Sequence, residues 1–256
     1  MTFSAVELII VALAGLTIGS FLNVVIYRLP RKESVVSPGS ACPACGTLLR
    51  WHDNIPILSY ITLGARCRTC RAPISVRYPL VEIATAAAFI GHYVVFGWTP
   101  LLAVRLIFAA AMIALFVIDL EHHLLPDAIT LPGIVVGLVA SLFLPPGFVA
   151  SLIAVLAGGG FLWIVGEAYY RYAGQEGMGG GDVKMLAMIG AFLGWQLTLL
   201  TLIVSSFLGA VVGLLIVVLR FGGMKSPLPF GTFLALAALL ASIWGEGVLT
   251  WYMGRF

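Results

Sequence analysis

Gly177-Met178-Gly179-Gly180-Gly181-Asp182-Val183-Lys184 runs directly into Met185-Leu186-Ala187-Met188-Ile189-Gly190-Ala191-Phe192-Leu193. The second half reads as a membrane helix, so the first half sets a carboxylate at a helix N-terminus on the membrane edge. Gly179, Gly180 and Gly181 lack Cβ atoms, so the backbone there lets another chain come close. An ionisable side chain at such a place marks a functional site. The expected site loop is therefore Gly179, Gly180, Gly181 and Lys184 around Asp182.

Outward from this stretch the whole chain is apolar. Of its 256 residues 61% are hydrophobic and 10% charged, with a mean hydropathy of +1.08, whereas a soluble domain is about a quarter charged. The expected fold is an all-α polytopic membrane protein of about eight transmembrane helices, each needing about 20 apolar residues. The spans are placed at about 5–29, 78–96, 101–118, 129–144, 148–170, the segment after the glycines, 197–219 and 230–252. Three regions follow: a first transmembrane helix over 1–30, a small domain over 31–77, and a seven-helix membrane domain over 78–256. Nothing in the composition asks for a nucleic-acid partner; the bilayer itself is one. The first span lacks a basic leader and is too long for a cleaved signal.

The 31–77 segment holds all four cysteines, as Cys42-Pro43-Ala44-Cys45 and Cys67-Arg68-Thr69-Cys70, two C-x2-C knuckles separated by 21 residues. Four thiolates so spaced suit one tetrahedral Zn²⁺. With no open ligand position, such a zinc is structural. Two disulfides are the alternative. Against them, Arg28, Arg31, Lys32, Arg50, Arg66, Arg68, Arg71 and Arg77 face only Glu33 and Asp53 here, which puts the domain in the cytoplasm, where thiols stay reduced. Counting spans from there places the 119–127 loop, the glycine run and the 221–228 loop on the same side. Arg171, Lys184, Arg220 and Lys225 fall there too, leaving Arg105 and Arg255 outside with both termini.

Among eleven acidic residues, Glu33, Asp53, Glu121 and Glu176 read as solvated. Glu7 and Glu246 sit toward the outer interface. Asp127, following Pro126, reads as a helix N-cap. Glu82 and Glu167 lie in spans, where carboxylates usually face the bundle interior; binding part of a substrate and pairing with an Arg are the two readings. Asp119 and Asp182 stand apart, both at the cytoplasmic end of a helix and both beside Gly- or Pro-punctuated backbone. As a pair they would share a proton, one acting as base on water while the other donates to a carbonyl, which is aspartic-protease chemistry. Helix dipoles would leave the charge on Asp182 and the proton on Asp119. The rival reading makes both acids ion sites of a proton- or cation-coupled secondary transporter.

These residues together resemble the bifunctional bacterial prepilin peptidases, the Gly-x-Gly-Asp membrane aspartic proteases that also N-methylate their product. The resemblance rests on Gly179-Gly180-Gly181-Asp182-Val183-Lys184 and on Asp119 with Leu125-Pro126-Asp127. It extends to Gly19-Ser20-Phe21-Leu22-Asn23 through Tyr27-Arg28-Leu29-Pro30, the two knuckles, Asp53-Asn54-Ile55-Pro56 and Arg77-Tyr78-Pro79-Leu80-Val81-Glu82. It implies cleavage of type IV prepilins or type II secretion pseudopilins after a short basic leader, at the cytoplasmic face of the bacterial inner membrane. It also implies methylation of the new N-terminus from S-adenosylmethionine, for which no binding residues are assigned. In Pro229-Phe230-Gly231-Thr232-Phe233, Thr232 stands where that family commonly carries a second Pro; the expectation is a local change that leaves both aspartates untouched.

Overall fold

A computed structural model describes residues 4–175, 179–219 and 228–255; Glu176, Gly177, Met178, Arg220 and Lys225 lie outside that range. Every regular element among the described residues is helical, and the chain forms two compact units, Met1–Trp98 and Thr99–Phe256.

The first unit is built on α1 (Ala5–Arg28) and α3 (Arg77–Phe96), with the short α2 (Leu58–Thr62) in the segment between. Ser4 opens α1 with a capping box, its hydroxyl accepting from Glu7 N–H while the Glu7 carboxylate accepts from Ser4 N–H, which satisfies two donors that a helix start leaves bare. Gly15 and Gly19, one turn apart, let α3 approach. A Cβ on Gly15 would stand 2.5 Å from Ala86 Cα, and one on Gly19 2.7 Å from Glu82 Cα. Small residues at this spacing are how helices pair in lipid. Because that pairing welds α3 to α1, the compact unit ends at Trp98, one helix beyond the 77/78 boundary drawn from the sequence.

The second unit comprises α4 (Pro100–His122), α5 (Asp127–Ser141), α6 (Phe148–Ala173), α7 (Gly180–Val218) and α8 (Phe230–Met253). Among the described residues six helices are long and apolar enough to cross a membrane: α1, α3, α4, α6, α7 and α8. The sequence-based count of eight differs for two reasons. At 15 residues α5 is short, and α7 joins the sixth and seventh expected spans across Gly194, whose φ of +74° breaks the helix. Contacts with α6 show the chain folding back there. Successive α6 residues Ala150, Ala154 and Gly158 meet Gly194, Gly190 and Leu186 on the first arm, while Gly158 also meets Thr198 on the second. The two arms thus descend side by side from a turn seated on Pro146, 2.8 Å from where a Gly194 Cβ would lie. Only glycine fits that φ and that space.

The first arm is the centre of the unit: Met185, Leu186, Met188 and Ile189 are fully buried and pack with Phe108, Met112 and Leu115 of α4 and Leu234 of α8. Leu156, Phe161, Trp163 and Ile164 of α6 point outward, exposed, a surface suited to lipid and not to water. Gly133 and Gly137 of α5 face Met188 and Ala191 in the same order, so α5 runs parallel to the first arm. The C-terminus of α4 and the N-termini of α5, α7 and α8 therefore meet at one end.

Candidate active site

Both singled-out aspartates lie at that end. Asp119 occupies the last turn of α4, which closes as His123 turns left-handed (φ +50°) and donates its N–H to the Asp119 carbonyl at 2.8 Å. Asp182 is in the first turn of α7, its N–H donating to Gly179 O at 3.1 Å. They are 5% and 9% exposed, and they interact with each other electrostatically. Leu125 bridges α7 and α8 beside the acids: a Cβ on Gly181 would stand 2.9 Å from Leu125 Cβ, and a Cβ on Gly231 2.8 Å from Leu125 Cδ1 and 3.0 Å from Asp119 Oδ2. The missing side chain of Gly231 thus makes room for Asp119 and Leu125, and that of Gly181 for Leu125. Gly180 faces open space.

Two expectations are corrected here. Thr232 does reach an aspartate: its N–H donates to Asp119 Oδ2 at 2.6 Å and its hydroxyl to the same oxygen at 3.0 Å. A proline at this position would supply neither donor. Asp127 is not an N-cap. It is the first residue of α5, and its carboxylate accepts Lys184 Nζ at 2.7 and 2.8 Å, tying the Leu125-Pro126-Asp127 stretch to the residue two after Asp182. Sequence reasoning missed Gly231 and read Thr232 as a purely local change; the Pro-Phe-Gly start of the last helix was the local signal.

The sequence profile of the bacterial peptidase A24 N-terminal domain matches residues 13–96, and that of the type IV leader peptidase family matches 106–214. A prepilin leader peptidase/N-methyltransferase of Pseudomonas aeruginosa is 40% identical over 94% of this chain and 91% of its own length. Its namesake in Aeromonas hydrophila is 40% identical over 96% and 94%, and that of Legionella pneumophila 35% identical over 96% and 94%. The chain belongs to the prepilin leader peptidase/N-methyltransferase family. No solved structure matches it.

The family's N-terminal domain here contains the cysteine cluster. All four cysteines are free, their sulfurs lie within 4.8 Å of one another, and Cys42 Sγ is 3.8 Å from Cys70 Sγ. A tetrahedron with Zn–S of about 2.3 Å sets sulfurs roughly 3.8 Å apart, so the donor set fits a four-coordinate metal. The knuckles are near copies. In each, the residue after the second cysteine is left-handed (Gly46 φ +71°, Arg71 φ +61°) and donates its N–H to the carbonyl of the first cysteine. A side-chain hydrogen bond with Thr47 pulls the Cys45 thiol down to about 6 and backbone hydrogen bonding at Cys70 lowers that of Cys67, whereas Cys70, though lowered by a backbone hydrogen bond at Ala72, is pushed up to about 11 by the Cys45 side chain and burial. Arg68 clamps both oxygens of Asp53, at 2.6 to 3.1 Å, and holds that carboxyl below its usual range.

The two carboxylates left open by the sequence separate. Glu167 pairs with Arg171 one turn later at 2.8 Å. Glu82, 6% exposed, accepts the N–H of Ile57 at 2.8 Å.

Proposed function

We propose that this chain removes the leader peptide of prepilins and N-methylates the new terminus, with Asp119 and Asp182 as the peptidase pair. Family membership supports the activity. The observation that supports the residues is the burial of two interacting carboxylates at one shared end of four helices, with Gly231 leaving space for Asp119. Carboxylates at a helix end suit a scissile bond at the membrane face, whereas a transporter would hold its ion near the midplane.

In this reading a water lies between the acids; one takes its proton while the other protonates the scissile carbonyl oxygen. Asp119 Oδ2 already accepts two hydrogen bonds from Thr232. Hydrogen bonds to a charged group contribute about 1.5–3 kcal/mol each, against roughly 0.3–1 kcal/mol for a helix dipole. Direct donors outweigh the dipoles, so Asp119 is the base and Asp182 the acid, the reverse of the dipole-based expectation. Lys184, held by Asp127, anchors the start of α7 behind Asp182.

Cys42, Cys45, Cys67 and Cys70 would hold a zinc ion that cross-links the two knuckles, with no place in cleavage. S-adenosylmethionine would supply the methyl group. The basic residues around the knuckles favour the cytoplasmic face of the inner membrane for the cysteine segment and the acids. The deciding experiment incubates purified protein with a full-length prepilin. Asp119→Asn and Asp182→Asn are each expected to abolish cleavage while the protein still folds; near-normal cleavage by either removes that residue from the pair.

A further inference from the structure

Between α1 and α3 the chain leaves an apolar face exposed. Leu58 is 59% exposed and Ile61 66%; three residues apart on α2, they point the same way. Ser59 is the inward side of that helix, buried, its hydroxyl donating to His52 O at 2.9 Å. This bond ties α2 to the turn that carries Trp51, itself exposed. The Thr62 hydroxyl folds back onto Leu58 O at 2.9 Å, so the polar residue at the edge of the face is satisfied from within α2.

The depth of α2 follows from its anchor. Ile57 donates its N–H to the buried Glu82 carboxylate at 2.8 Å and takes φ +60° to do so, a strained backbone for a β-branched residue. Glu82 lies five residues inside α3 and packs on Gly19, nine residues inside the end of α1. At 1.5 Å per residue that level is about 8 and 14 Å from the two helix ends. The 20 residues of α3 rise about 30 Å, the thickness of a bilayer's hydrocarbon layer, so the anchor of α2 lies at the edge of that layer. Leu58 follows directly. On α3 itself Leu80 and Ile83, to either side of Glu82, are exposed apolar side chains too, which shows the same surroundings at the same depth. The exposed charges that flank this face along the chain are positive, Arg50 before Trp51 and Arg66 after α2, while Arg68 clamps the Asp53 carboxylate.

An apolar face at that depth, edged by cations, is complementary to phospholipid. We propose that α2 and the turn before it are an interfacial anchor: Leu58 and Ile61 enter the leaflet at which α1 ends and α3 begins, Trp51 lies at headgroup level, and Arg50 and Arg66 meet lipid phosphates. The cysteine segment is then held to the bilayer between its two helices as well as at them.

The test uses the full-length wild-type protein, one copy per nanodisc of phosphatidylethanolamine and phosphatidylglycerol, so that no second copy can cover the face. Hydroxyl-radical footprinting reads each side chain by mass spectrometry. Leu48, on the first knuckle, is 61% exposed and matches Leu58 in chemistry and exposure. Lipid cover is expected to slow oxidation of Leu58 and Ile61 at least about tenfold relative to Leu48; Leu58 oxidised within about twofold of Leu48 overturns the proposal. A photoreactive phospholipid in the same discs then identifies the cover. Labelling of the tryptic peptide 51–66 supports the anchor. Protection of Leu58 without that labelling, while α3 is labelled around Ile83, means that something other than lipid covers the face and overturns it.

Discussion

One methyl group added at Gly231 tests how Asp119 is held. The new Cβ would stand 2.8 Å from Leu125 Cδ1, 3.0 Å from Asp119 Oδ2 and 3.1 Å from Asp119 Cγ, where carbon contacts relax at about 3.5–4.0 Å. Leu125 and Asp119 must therefore both retreat by something under 1 Å. Leu125 cannot go far, since it already meets the Gly181 position on its other side. Asp119 moves away from Thr232, loosening two hydrogen bonds. Overpacking of this kind costs about 1–3 kcal/mol in stability, while a 1 Å misplacement of a catalytic group costs on the order of 100-fold in rate. Gly231→Ala is thus expected to slow prepilin cleavage about 10- to 100-fold and to lower the melting temperature only modestly. Gly209→Ala is the matched control: the same methyl on α7, but at an ordinary 3.5 Å from Phe233. It is expected to keep wild-type cleavage and to gain about 0.5–1 kcal/mol from lost glycine entropy. Initial rates with purified prepilin, read as the mobility shift of the shortened product, check both. Wild-type cleavage by Gly231→Ala, or equal damage from Gly209→Ala, would refute the reasoning.

Thr232→Val removes the hydroxyl donor to Asp119 and keeps the N–H; the expected loss in cleavage rate corresponds to about 1.5 kcal/mol or more, and Thr232→Ser is expected to restore it. Asp127→Asn loses the charge that pairs with Lys184; because that pair is well exposed, stability is expected to change by about 1 kcal/mol or less, so a large drop in cleavage without a drop in melting temperature would show that Lys184 positions α7. Cys42→Ser, or a strong chelator, is expected to unfold the knuckle segment and impair methylation while sparing more cleavage than either aspartate change. Metal analysis of protein purified under reducing conditions that finds no zinc would count against the cluster as a metal centre.

The apolar helices, the paired knuckles and the two distinctive aspartates were legible because each is a local pattern: an apolar run, a C-x2-C spacing, a carboxylate beside glycines. The break at Gly194 was legible in effect, since the sequence placed two spans where α7 folds back. What the sequence could not supply were partners far along the chain. Asp119 and Thr232 are 113 residues apart, and Asp127 and Lys184 are 57 apart. A proline–aspartate step at a helix start looks like a cap by every local rule, and only the parallel packing of α5 on the first arm of α7 brings the lysine that takes the carboxylate instead. Glu82 was noticed for its cost in a span, but its partner, the Ile57 N–H, lies 25 residues away.

The length of α5 also bears on how water arrives. Its 15 residues rise about 22 Å, against a hydrocarbon layer of about 30 Å that the longer helices around it can span. Lipid cannot meet α5 at full thickness, so the bilayer is expected to thin to a pinch along its flank. The pinch begins at Asp127, whose exposed pair with Lys184 already favours a wetted surface. Hydrolysis beside it would then draw its water from the membrane's own indentation.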